Sequence, residues 1–124
     1  TWYGTGRIIA RGQAACPGTR VFIDPYWNAD LIAMPPADNA RVVPFAYREV
    51  ARHLGFRLAP QGSRTLSRDC PNLFWAEHDP DSRFTASEIR AHLRGQGFAL
   101  DTLTLTRVGY GWIASDRPLP RRTN

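Results

Sequence analysis

Lysine is missing altogether: all sixteen cationic side chains of the 124-residue chain are arginines. A Ser-x-x-Lys catalytic pair is therefore excluded. No Gly-x-Ser-x-Gly elbow occurs either. Gly4-Thr5-Gly6 and Gly109-Tyr110-Gly111 lack the three-glycine spacing that a dinucleotide loop needs. Cysteine is scarce, and the two present show no metal-binding spacing. Long hydrophobic runs are absent too. The longest uncharged apolar stretch, Leu31 to Ala37, holds two prolines and is far too short to span a bilayer. No membrane span and no cofactor are expected.

What is present describes a folded, basic domain. The hydrophobic fraction is 43%, the aromatic fraction 11% and the net charge +5. A chain of this size buries roughly 65% of its unfolded surface, enough for a core. Residues 1–116 read as one domain, followed by an Arg- and Pro-rich tail over 117–124 that frays. An all-arginine charge suits phosphate or carboxylate, which guanidinium grips in bidentate fashion. A GC-rich coding sequence gives the same bias, and the arginines are spread along the chain rather than clustered. Cys16 and Cys70 each precede a proline in a loop-like setting, which predicts a disulfide and an exported protein, periplasmic or secreted. Thr1 in first position fits either a removed leader or an excised domain.

One decapeptide nearly recurs. Glu49 to Leu58 (EVARHLGFRL) returns, with a three-residue insertion, as Glu88 to Leu100 (EIRAHLRGQGFAL). Each copy reads as the end of an amphipathic helix, a glycine stop and the start of a strand. In the first, Tyr47, Val50, Ala51 and Leu54 form one apolar stripe. In the second, Thr85-Ala86-Ser87-Glu88 has capping-box spacing. Strands are expected at the N-terminus (Thr1 to Gln13, broken by Gly4 and Gly6), at Arg20 to Ile23, from Phe56, at Asn72 to Ala76, at Thr102 to Thr106 and at Tyr110 to Ala114. The predicted fold is α+β: two helices on one face of an antiparallel sheet, a tandem repeat of helix-plus-hairpin units.

The second half, Thr85 to Ser115, has a helix, a glycine followed by an aromatic residue, and a two-strand ending. In this it resembles PepSY-like and other small bacterial envelope modules. The resemblance implies an extracytoplasmic binding or inhibitory module.

Three groups of residues are candidates for chemistry. Tyr26 and Trp27 lie among turn signals and, with Trp112 and Arg107, are expected to line an Arg- and aromatic-rich binding surface. Its partner would be another protein or an acidic ligand, with nucleic acid as a further class. Glu77, His78 and Arg83 form the alternative: a metal-independent ribonuclease site of a toxin-like domain, with His and acid moving protons and Arg stabilising the phosphorane. The pairs Glu49/His53 and Glu88/His92 are spaced for metal ligation only if their helices face each other; otherwise each is an ordinary contact along its own helix.

Overall fold

The computed structural model describes residues 2–23, 46–60, 63–77, 85–108 and 111–119. Among the described residues three helices flank a four-stranded sheet, an α+β fold. In chain order the elements are α1 (Trp2–Ala15), β1 (Arg20–Ile23), α2 (described over 46–54), β2 (Asn72–Glu77), α3 (Ala86–Gly95), β3 (Thr104–Val108) and β4 (Gly111–Ser115). The strand order is β1-β2-β4-β3. The sheet is mixed rather than purely antiparallel, because β1 runs parallel to β2 while β2–β4 and β3–β4 are antiparallel.

Side chains alternate across the pleat, so β1, β2 and β4 each feed two cores. Val21, Leu73, Trp75 and Ile113 meet Ile9 of α1 and Tyr47, Val50 and Ala51 of α2 on one face. Phe22, Phe74, Trp112 and Ala114 meet Ile89 and Leu93 of α3 on the other. The two helices of the repeat thus lie on opposite faces of the sheet, not together on one. A sheet apolar on both sides must be covered on both sides.

The N-terminal segment is the helix α1, not the expected strand. Thr5, Gly6, Ile9, Gly12 and Gln13 fall on one helical stripe, and all are buried. Gly6, one of the two glycines that suggested a broken strand, serves close packing instead. A Cβ on Gly6 would lie 2.7 Å from Val50 Cγ1 and 2.8 Å from Leu54 Cδ1, so only glycine lets α1 approach α2 here. Buried Gln13 then ties three segments together. Its Nε2 donates to the carbonyls of Thr19 and Arg57, both at 3.0 Å, and its Oε1 accepts from Arg57 N at 2.7 Å.

Both repeat copies end alike. Gly55 (φ +77) and Gly97 (φ +100) are the only described residues with positive φ. Phe56 N donates to Ala51 O, and Phe98 N to Leu93 O, both at 3.0 Å, the six-to-one closure of a Schellman cap. Each phenylalanine then enters the core beneath its own helix. There the likeness stops. Residues 57–60 form no strand. They run beside β1, where Ala59 N donates to Val21 O at 2.8 Å. The capping box of α3 is present as expected, with Glu88 N donating to Thr85 Oγ1 at 3.1 Å.

Cys16 and Cys70 form a disulfide that ties the end of α1 to the approach of β2. Beside it, fully buried Asn72 donates from its backbone N and its Nδ2 to the Asp116 carboxylate, at 2.7 and 2.8 Å. Its Oδ1 accepts from Ser67 N at 2.8 Å. Leu119 rests on the first core.

Candidate anion-binding surface

The charge of this protein is carried by arginine, so the fate of each guanidinium decides what the surface can hold. Arg52 of α2 is paired with a carboxylate, 2.8 Å from Glu49, and is largely exposed. Several others are fixed by neutral oxygens. Arg57 Nη2 donates to Pro17 O at 2.7 Å, Arg90 Nη1 to Asp101 O at 2.9 Å, and Arg117 Nη2 to the carbonyl of Arg68. A carboxylate would cancel the charge. A carbonyl only orients the side chain and leaves its charge and remaining N–H donors outward.

The densest case lies beside β1, on the face that α3 covers. Arg20 shares its side of the strand with Phe22, two residues on. Its Cζ sits 5.6 Å from the Phe22 ring centre. Arg64 Cζ sits 4.7 Å from the Phe98 ring centre. Both separations fall within cation–π range. The two rings touch edge to face, 4.9 Å between centres, and Phe74 completes the cluster. Ser63 joins the guanidiniums: Arg20 Nη2 donates to its Oγ at 2.8 Å, and Arg64 Nη1 to its carbonyl at 3.1 Å. Arg64 Nε also donates to Gln96 O at 2.7 Å, satisfying a carbonyl at the end of α3. The chain therefore holds the guanidiniums of Arg20 and Arg64 over the buried rings of Phe22 and Phe98.

The residues expected to line an Arg- and aromatic-rich surface are placed differently. Tyr26 and Trp27 lie outside the described residues, as do His78 and Arg83. Glu77 is the last residue of β2, paired with Gly111. Trp112 corrects the expectation: it is fully buried between the sheet and α3, so its ring offers no stacking surface. Arg107 is exposed on β3, opposite Trp112, but β3 is the far edge of the sheet from β1. The structure does not bring it to Arg20 and Arg64.

The two Glu–His pairs cannot share one metal, since α2 and α3 stand on opposite faces of the sheet. Glu49 is engaged by Arg52 at 2.8 Å, Glu88 by the α3 cap, and His53 makes an edge contact with Tyr3 at 5.6 Å between ring centres. Among the described residues no group of three or more His, Cys, Asp or Glu has metal-binding geometry. A shallow depression of about 80 Å³ lies at the start of α3, lined by Ala86, Ser87, Arg90 and Leu103. Arg90 is already bonded there to Asp101 O.

No described helix is long and apolar enough to cross a membrane. Comparison with known proteins returns no matching family model, no matching curated sequence and no matching solved structure, so the likeness of 85–115 to PepSY-like modules gains nothing from it.

Proposed function

We propose that this chain is a small non-catalytic binding module of an extracytoplasmic compartment, which takes an acidic ligand or the acidic face of a protein partner. The observation that carries the reading is the way its arginines are held. Arg20, Arg57, Arg64, Arg90 and Arg117 are oriented by hydroxyl or carbonyl oxygens rather than by carboxylates. An arginine already restrained loses less conformational entropy when it binds, and an uncancelled charge attracts anions. The Cys16–Cys70 disulfide supports an oxidising compartment.

Fluorescence anisotropy with labelled hexaglutamate and labelled single-stranded RNA tests the reading. The expected result is saturable binding of the peptide that weakens as salt rises, with RNA left intact. Absence of peptide binding at low salt would overturn it. So would RNA cleavage that resists EDTA and disappears in His78→Ala, which would make the protein a ribonuclease.

A further inference from the structure

We infer that Arg20, Ser63 and Arg64 form a discrete site for a single doubly charged oxyanion of the phosphate or sulfate type. The inference rests on the binding-module reading and names the ligand chemistry of one part of that surface.

The cluster has a surplus of donors. Ser63 Oγ accepts from Arg20 Nη2 at 2.8 Å and, more weakly, from Thr65 N at 3.4 Å. Both lone pairs of that hydroxyl are then engaged, and its own proton is left to donate. Arg20 Nε is buried and has no acceptor among the described residues. A buried donor in that state carries a cost. Arg64 spends Nε and one Nη1 proton on Gln96 O and Ser63 O, which leaves Nη2 uncommitted. Among the described residues no carboxylate is bonded to either guanidinium.

Two like charges are thus held to one serine, with no carboxylate of the described residues bonded to either. Each is fixed from behind by a phenyl ring. An acceptor-only group carrying two negative charges answers both the charge and the donor surplus. A single carboxylate answers half of it. The serine adds an O–H donor of the kind phosphate oxygens take.

The test is an NMR titration of the full ¹⁵N-labelled chain with sodium sulfate, inorganic phosphate, a phosphoserine tripeptide and sodium acetate, all at constant ionic strength. Sulfate and phosphate should produce saturable shifts at the amides of 63–65 and at the Arg20 and Arg64 Nε–H signals. Acetate should bind at least about tenfold more weakly. Arg64→Gln should weaken sulfate binding about tenfold to a hundredfold, the range of one charge-assisted hydrogen bond, while Arg94→Gln leaves it unchanged. Arg64 is exposed, so the variant keeps the fold, and the dispersion of the spectrum verifies that. A tripeptide tighter than free phosphate means a phosphate borne on a macromolecule; a weaker one means the free ion; both keep the site. Sulfate binding unchanged in Arg64→Gln, or shifts confined to other surfaces, would overturn the site and leave the binding-module reading standing. No response to any oxyanion, together with no hexaglutamate binding, would overturn both.

Discussion

The two faces of the sheet are built from nearly the same decapeptide and finished differently. On one face Phe56 follows Gly55 into a core with Tyr47 and Trp75, and two helices close over it. Gly6 lets those helices touch, Gln13 stitches α1 to residues 19 and 57, and the disulfide fixes the end of α1. On the other face Phe98 follows Gly97 into a cluster with Phe22 and Phe74, and one described helix, α3, covers it. The rim toward β1 carries the guanidiniums of Arg20 and Arg64 against two of those rings. The same helix–glycine–phenylalanine unit thus gives a sealed core in one place and a charged rim in the other. What separates them is the neighbour that the chain supplies, not the repeat itself.

Paired substitutions break this comparison most sharply. Phe56→Ala and Phe98→Ala should each destabilise the fold by about 3–5 kcal/mol, since each empties a buried aromatic site. Urea unfolding measures that loss. Only Phe98→Ala also removes the ring beneath Arg64, so only it should weaken oxyanion binding under conditions where both variants are still folded. Equal binding by the two would show that the ring plays no part in holding the guanidinium.

The disulfide sharpens the comparison from the other side. Removing it with Cys16→Ser and Cys70→Ser should cost about 4 kcal/mol, the chain-entropy value for a closed loop of this length. Hydrogen exchange should then rise first in α1, whose end it holds, and least in α3, on the opposite face. Equal loss of protection in both helices would mean that the two faces unfold as one unit.

Local chemistry was legible where it was self-contained. The Thr85–Glu88 capping box, the apolar stripe of α2, β1, β2, the β3–β4 hairpin and the cysteine pair all follow from short spacings. The helix α1 was not legible, because Gly4, Gly6 and Gly12 lower its intrinsic propensity. Gly6 is explained by a side chain of α2 far along the chain, which tertiary packing alone reveals. The repeat was read correctly through its glycine and phenylalanine and wrongly beyond them. The pattern carried the cap, whereas the sheet partners decided what came next. Half of the candidate surface could have been found: Arg20 and Phe22 share a strand face by simple alternation. Arg64 carried no local signal, since its partners Phe98 and Gln96 come from the end of α3. Trp112 failed as a surface residue because β4 is an interior strand with both faces covered.

The central claim is that arginines oriented by neutral oxygens leave this protein with charge for an acidic ligand. Its most direct test is the affinity for labelled hexaglutamate of the wild type and of the Arg20→Gln/Arg64→Gln double variant, at low and at physiological salt. The account predicts saturable binding by the wild type, at least about tenfold weaker binding by the variant at low salt, and a smaller salt dependence in the variant. Identical affinities and identical salt dependence in the two proteins would contradict it.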